Sequence, residues 1–170
     1  LSFNADYTLR WANTIGSEDH EAAYSKLTDL RYVTEGRYLW FTGINSGNSP
    51  ALDLVTQAGG YNGTQGSVML GEFFMLDLSL DYCTRWGGGD DSPLSIAYGL
   101  DYDGKYLWMV GGTRRPTLSA TDAPLPAGPS TIYHNLVNAS TDQNACDGFI
   151  LQFEPHTYAP VYGTLIGGSE

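Results

Sequence analysis

The chain has 170 residues, of which 42% are hydrophobic and 13% aromatic, and this composition excludes an intrinsically disordered chain. The 19 acidic residues outnumber the 8 basic ones and give a formal charge of −11, so phosphate backbones and anionic lipid surfaces are repelled and no nucleic acid is expected as a partner. No stretch of apolar residues is long enough to span a bilayer, so we expect no membrane insertion.

Short strands joined by turns are predicted through the first half of the chain, where glycines and prolines recur among apolar residues. A strand is predicted at residues 7–15. Residues 29–33 and 37–42 are expected to form a hairpin in which Gly36 adopts the left-handed conformation of the turn. Residues 43–71 are rich in Gly, Asn and Ser, and we expect a long loop there.

The middle of the chain predicts four strands in a row. Residues 72–80 show apolar side chains at alternate positions, which predicts one strand with Phe74, Leu76 and Leu78 on the same face. Residues 82–86 follow as the second predicted strand.

A hairpin is predicted across Asp103-Gly104, a dipeptide that favours tight turns. Its two strands are residues 94–102 and 105–111. A second long loop is expected at residues 113–147, and the last predicted strands are residues 148–153 and 161–166.

Sequence patterns recur along the chain, and this indicates repeated β units. Gly36-Arg37-Tyr38-Leu39-Trp40 matches Gly104-Lys105-Tyr106-Leu107-Trp108, 68 positions later. Leu1-Ser2-Phe3, Leu76-Asp77-Leu78 and Leu151-Gln152-Phe153 share a second pattern at intervals of 75 positions. We therefore predict an all-β fold of tandem four-stranded antiparallel blade-like units that stack through their tryptophans. The alternative is a β-sandwich.

The repeats divide the chain into three predicted parts. Residues 1–71 are the first β unit with its long loop, and residues 72–147 are the second. Residues 148–170 are a partial third unit, expected to complete a neighbouring copy or to pack on the first unit.

Several segments resemble the repeats of seven-bladed β-propellers in bacterial surface proteins. The segments that carry the resemblance are Phe41-Thr42-Gly43, Tyr98-Gly99-Leu100-Asp101-Tyr102-Asp103-Gly104, Asp147-Gly148-Phe149, Phe153-Glu154-Pro155 and Tyr162-Gly163-Thr164-Leu165-Ile166-Gly167-Gly168. The resemblance implies a propeller-type fragment with a structural or adhesive extracellular role, and it brings no catalytic residues.

The composition and two kinds of covalent site favour an extracellular, cell-surface location. A chain with 16% charged residues is typical of secreted β proteins. We predict a disulfide between Cys83 and Cys146, the alternative being two inert core thiols. Asn62 and Asn138 begin N-x-S/T triplets and are predicted glycosylation sites.

No catalytic or cofactor-binding residue is predicted. Calcium is a weak expectation at Asp90, Asp91, Asp101 and Asp103, which otherwise serve as ordinary turn residues. The histidines lie too far apart along the chain to form a zinc motif; they are His20, His134 and His156. Aromatics near the loops could stack on sugars, or could anchor the loops by packing; they are Tyr61, Tyr82, Tyr133 and Tyr158.

These observations favour a non-enzymatic extracellular structural module, a subunit of a filament, surface fibre or repeat adhesin whose partners are copies of itself, head to tail. One alternative is a carbohydrate- or protein-binding module that uses the long loops 43–71 and 113–147. Another is a glycoside hydrolase, which would need two converging acids. The acids available to it are Asp53, Glu72, Asp77, Asp81, Asp90 and Asp91.

Overall fold

The fold is all-β, as predicted. The structure is a computed structural model and describes residues 2–3, 5–6, 8–11, 25–34, 36–45, 55–56, 58, 60, 66–86, 95–113 and 147–166. These residues contain ten strands: β1 (Ser2–Phe3), β2 (Leu9–Trp11), β3 (Ser25–Val33), β4 (Tyr38–Asn45), β5 (Val68–Phe74), β6 (Ser79–Trp86), β7 (Ser95–Tyr102), β8 (Leu107–Thr113), β9 (Asp147–Phe153) and β10 (Pro160–Ile166).

The strands form two four-stranded antiparallel sheets and one two-stranded sheet. The first sheet has the order β3-β4-β5-β6, the second has the order β7-β8-β9-β10, and β1 pairs with β2. Within each four-stranded sheet, neighbouring strands are consecutive along the chain, so each is a blade-like meander. In both sheets the longest connection joins the second strand to the third, across residues 46–67 and 114–146.

The two four-stranded sheets share the same register, including its irregularities. The second strands carry equivalent glycines, Gly43 in the first sheet and Gly111 in the second. In each sheet the first strand has a bulge just after the residue that pairs with this glycine. Between the third and fourth strands the extra residue is Asp81 in the first sheet and Val161 in the second. Bulges placed at the same positions identify the sheets as two copies of one unit.

This register confirms one predicted repeat and corrects the other. Trp40 and Trp108 occupy equivalent positions in the second strand of each sheet, as the interval of 68 positions predicts. The interval of 75 positions is wrong, because residues 76–78 lie in the turn between β5 and β6 whereas residues 151–153 lie within β9. The third and fourth strands are instead related by 80 positions, so that Glu72 corresponds to Gln152.

Two turns differ from the prediction because residues other than glycine take the left-handed conformation. In the β3–β4 turn the residue with positive φ is Arg37, not Gly36. Residues 72–80 are not one strand: Leu78 has a φ of 65° and its amide donates to the Phe74 carbonyl, which closes the β5–β6 turn. The hairpin across Asp103-Gly104 forms as predicted, with Gly104 at a φ of 94°.

The boundaries between the observed sheets differ from the unit boundaries that the sequence pattern predicts. The predicted boundary between residues 71 and 72 falls inside β5, and the first sheet ends at Trp86. Residues 148–170 were assigned to a partial third unit, but β9 and β10 complete the second sheet. The difference arises because the strand predicted at residues 72–80 hid a turn and shifted the strand count.

The small sheet β1–β2 repeats the end of a unit. Its two strands pair with one extra residue, Arg10, as the third and fourth strands of the larger sheets do. The Asp6 carboxylate accepts from the amide and hydroxyl of Thr8 at 3.1 and 2.6 Å. The Asp77 carboxylate binds Ser79 in the same way in the β5–β6 turn. The β1–β2 hairpin therefore corresponds to β5–β6.

The two large sheets stack face to face, with unlike faces in contact. We call the side of each sheet that bears Trp40 or Trp108 its tryptophan face, and the side that bears Leu39 or Leu107 its leucine face. The tryptophan face of the first sheet packs on the leucine face of the second and forms the main core. That core contains Trp40, Val68, Leu70, Tyr82, Trp86, Ala97, Leu100, Leu107, Met109, Phe149, Leu151, Phe153 and Tyr158.

The leucine face of the first sheet is buried along its other strands, whereas Leu27, Leu30 and Tyr32 of β3 are 43%, 53% and 51% exposed on that face. Phe41, Met69, Phe73 and Cys83 form a second cluster there, and each has an exposed fraction of 4% or less. The tryptophan face of the second sheet also carries exposed apolar side chains, among them Val110 and Ile166.

Candidate interaction site on the stacked sheets

A buried carboxyl group joins the first sheet to the second. The Glu72 side chain is 4% exposed, and its Oε2 accepts from Trp40 Nε1 at 2.5 Å and from the Tyr158 hydroxyl. Trp40 Nε1 also lies 2.9 Å from the Tyr158 hydroxyl oxygen, and His156 Nδ1 lies 3.3 Å from Glu72 Oε2. These donors offset the cost of burying a carboxyl group, which an apolar contact could not do.

The two residues contributed by the second sheet sit in the turn between β9 and β10. Tyr158 and His156 both have positive φ, at 55° and 64°. That backbone directs Tyr158 onto Tyr82, with ring centroids 3.7 Å apart and planes 3° from parallel. The His156 ring packs 4.2 Å from the Tyr38 ring and leaves 48% of its side chain exposed.

Polar contacts also join the first strand of the second sheet to the first sheet. Asp29 Oδ2 accepts from the Leu100 amide at 2.8 Å. Ser67 Oγ donates to the Ser95 carbonyl at 2.7 Å and accepts from the Ser95 amide at 2.9 Å. These contacts, of which the two made by Ser67 are buried, fix the register of one sheet on the next more strictly than apolar packing would.

The residues of the first sheet that contact the β9–β10 turn have equivalents in the second sheet. In the first sheet, Trp40, Glu72 and Tyr82 lie side by side on β4, β5 and β6. In the second sheet, the equivalent row on β8, β9 and β10 is Trp108, Gln152 and Tyr162. The second row lies on a tryptophan face against which none of the other described strands packs.

The tryptophan face of the second sheet is apolar and partly open. Val110 is 45% exposed, Ile166 58% and Tyr98, at the bulge, 59%. Ile150 and Tyr162 on the same face are half-buried, and Gln152 is 8% exposed between its larger neighbours. A row of aromatic, amide and aliphatic side chains of this kind is typical of surfaces that bind another protein surface.

Burial and the adjacent Glu72 raise the pKa of Tyr158 well above its ordinary value of 10.0. In the unfolded chain this tyrosine ionises near its ordinary pKa, whereas in the folded chain it stays protonated. The folded state therefore binds more protons above that pH, and the stability that Tyr158 contributes falls as the pH rises.

We expect the stability difference between the wild type and Tyr158→Phe to shrink above about pH 10. Urea unfolding at several pH values measures it. Tyr32→Phe, which removes the hydroxyl of a 51% exposed tyrosine in the first sheet, is the matched control. A Tyr158→Phe difference that stays constant up to about pH 11 would contradict this assignment.

Two of the four predicted calcium ligands, Asp101 and Asp103, have other partners in the structure. Asp103 Oδ1 accepts from the amides of Lys105 and Tyr106, and its Oδ2 accepts from Trp108 Nε1. The Tyr106 amide, followed by the Trp108 indole, lowers the pKa of Asp103. Asp101 lies 3.2 Å from the guanidinium of Arg31. Asp90 and Asp91 lie outside the described residues.

The predicted covalent sites stay predictions. Cys83 is 2% exposed in β6, where its backbone forms an isolated bridge with Val55. Cys146 lies outside the described residues, as do Asn62 and Asn138. Cys83 belongs to the cluster on the leucine face of the first sheet, so a disulfide would connect residues 114–146 to that face.

Among the acids proposed for hydrolysis, Glu72 is buried in the interface, and Asp77 holds the β5–β6 turn. Asp81 Oδ1 lies 2.6 Å from Ser79 Oγ, beside the same turn. Asp53 lies with Asp90 and Asp91 outside the described residues. Within the part of the chain that is described, no group of three His, Cys, Asp or Glu side chains is arranged to hold a metal ion.

Sequence reasoning found some members of the site but not their association. Of the four aromatics near loops, Tyr82 and Tyr158 are fully buried packing residues. Tyr61 and Tyr133 lie outside the described residues, as do most of the two long loops. From the sequence, His156 is an isolated histidine outside any zinc motif, and Gln152 is only a member of a repeated tripeptide. The recurrence of Glu72 and Tyr82 as Gln152 and Tyr162, 80 positions later, was the available signal.

A scan of this chain against protein-family models finds no match, and no curated protein or solved structure matches it either. The resemblance to β-propeller repeats therefore stays a prediction. The described residues also contain no helix with the length and apolar character needed to cross a membrane.

Proposed function

We propose that the chain is a non-enzymatic structural module that assembles by stacking blade-like sheets, and that it joins a further sheet through the tryptophan face of its second sheet. One observation carries this proposal: the two sheets present equivalent rows of residues on equivalent faces, and one row is covered by a sheet while the other is partly open. The low content of charged residues supports an extracellular, cell-surface location for such an assembly.

The covered face shows what the open face offers to a partner. Trp40, buried by the second sheet, is 1% exposed, whereas Val110 on the open face is 45% exposed. The second sheet packs on the tryptophan face of the first. A further sheet that packed in the same way on the tryptophan face of the second would bury Val110 and Ile150 and would contact Gln152. Gln152 has both donor and acceptor groups, so a tyrosine hydroxyl or a backbone group could bind it without an unpaired charge.

We expect Val110→Asp to raise the protein concentration needed for half-maximal assembly at least about tenfold, because the new side chain would bury an unpaired carboxylate in the contact. Sedimentation velocity and negative-stain microscopy measure the assembly of purified chain. Leu76→Asp is the matched control, because Leu76 is 58% exposed and lies in the β5–β6 turn, away from this face. A Val110→Asp protein that assembles like the wild type, or a wild type that is monomeric throughout, would rule out the proposal.

A further inference from the structure

We infer that the partner at the tryptophan face of the second sheet is the β1–β2 hairpin of a second copy of this chain. This inference rests on the proposed function and names the partner of the same surface. It is based on the contact seen inside the chain, on the likeness of the hairpins and on the exposure of Leu9.

The first sheet shows which part of a unit reaches the row of Trp40, Glu72 and Tyr82. It is the turn between the third and fourth strands of the next unit, which presents Tyr158 and His156. A partner of the second sheet that follows the same geometry brings a hairpin of third and fourth strands to the row of Trp108, Gln152 and Tyr162.

The β1–β2 hairpin is of this kind. Its register shifts by one residue at Arg10, as the β5–β6 and β9–β10 hairpins shift at Asp81 and Val161. Its turn is held by Asp6 and Thr8 through the pair of hydrogen bonds that Asp77 and Ser79 form in the β5–β6 turn. Within the described residues, the hairpin forms a sheet of its own.

The apolar residue that the hairpin would bring to the contact is exposed. Leu9 lies opposite Phe3 in the β1–β2 hairpin, and Leu80 lies opposite Phe73 in the β5–β6 hairpin. Leu9 and Leu80 therefore hold equivalent positions. Leu80 packs on the leucine face of the first sheet, so Leu9 belongs to the corresponding face of the hairpin. Leu9 is nevertheless 57% exposed, and the turn residues Asp6 and Thr8 are exposed with it.

In the larger sheets, the third and fourth strands are covered on their leucine faces. The leucine face of the second sheet is covered by the first sheet, where Leu107 and Met109 are fully buried. On the leucine face of the first sheet, Met69 and Phe73 of the third strand and Cys83 of the fourth are buried. The exposed apolar residues of that face lie on its first strand, β3; they are Leu27, Leu30 and Tyr32. Among the described hairpins of third and fourth strands, the β1–β2 hairpin is therefore the one with a mostly exposed strand residue, Leu9, on its leucine face.

A contact between the hairpin of one copy and the second sheet of the next joins two different surfaces. Contacts of this type are heterologous, and they produce a closed ring or an extended filament according to the rotation between copies. Each copy thus has one donor surface and one acceptor surface, and blocking either stops growth.

Mixing two blocked variants tests the claim. Val110→Asp blocks the acceptor surface and keeps the hairpin intact, whereas Leu9→Asp blocks the hairpin and keeps the acceptor surface intact. We expect each variant alone to sediment as a monomer and an equimolar mixture to form dimers that do not grow further. Far-UV circular dichroism checks that each variant keeps its strands, and Leu9→Gln provides a milder hairpin variant if the charge disturbs β1–β2.

The outcomes separate this inference from the proposed function. If Leu9→Asp assembles like the wild type while Val110→Asp does not, the open face binds something other than the hairpin and only the inference is overturned. If Val110→Asp assembles like the wild type, the proposed function fails as well. If both variants and their mixture are monomeric, the contact is not a heterologous pair of these two surfaces, and the inference is also overturned.

Discussion

Replacing Trp40 with alanine is expected to lower the free energy of unfolding by about 3–5 kcal/mol, the usual cost of removing a large buried aromatic side chain. Trp40 is 1% exposed at the centre of the interface between the two sheets. The substitution removes its ring contact with Tyr102, whose centroid lies 5.2 Å away, and the indole donor to Glu72. The cavity cannot close easily, because polar contacts hold the first strand of the second sheet on the first sheet.

The matched control is Trp108→Ala, at the equivalent position of the second sheet. Trp108 is half-buried, and its indole donates to Asp103 at 2.7 Å in an exposed turn. We expect it to cost less than half as much stability as Trp40→Ala and, on the proposed function, to weaken assembly. Urea unfolding followed by far-UV circular dichroism at low protein concentration gives both stabilities. Equal losses would contradict the assignment of one covered and one open tryptophan face.

Replacing Gly111 with alanine is expected to lower the free energy of unfolding by about 3 kcal/mol, at the upper end of the usual cost of overpacking. A Cβ atom there would lie 2.2 Å from the Ile96 carbonyl oxygen and 2.2 Å from the Phe149 ring. The carbonyl belongs to the neighbouring strand beside the bulge, so relief requires the β7–β8 pairing to move. Gly43→Ala should behave alike, because its Cβ would lie 2.3 Å from the Lys26 carbonyl oxygen.

Gly148→Ala, on the strand next to β8, is the control for this prediction. Its Cβ would meet the nearest atom, the Ile166 carbonyl oxygen, at an ordinary contact distance of 3.5 Å. We expect a change within about 0.5 kcal/mol. Urea unfolding of the three variants measures the difference, and a well-tolerated Gly111→Ala would show that the bulge can relax. In that case the bulges would not be a fixed feature of the unit.

The local signals in the sequence were reliable where a turn is closed by its own residues. Asp103-Gly104 specifies the β7–β8 hairpin, because Gly104 adopts positive φ without strain and Asp103 accepts from the two following turn amides. The motif that contains Trp40 and recurs at Trp108 identified the second strand of each sheet correctly. In these cases the interactions span only a few residues, so the pattern carries the structure.

Alternation misled the prediction where apolar residues build a turn. Residues 72–80 have the pattern of one strand, yet Leu78 takes positive φ and Asp77 binds Ser79, so the chain reverses there. Leu76 is 58% exposed in that turn, which an apolar pattern does not reveal. One missed turn moved the predicted unit boundary into β5 and assigned β9 and β10 to a separate unit.

The sequence by itself determined that the chain is all-β, that it is built from repeated strands and turns, and that its tryptophans recur in equivalent strands. These properties depend on alternation, turn residues and short spacings, which are local. The tertiary structure alone decided how the sheets divide, which of two equivalent faces is covered, and that Glu72 meets Tyr158 and His156. Those contacts join residues more than 80 positions apart, and their stability comes from burial between two sheets, which no local pattern records.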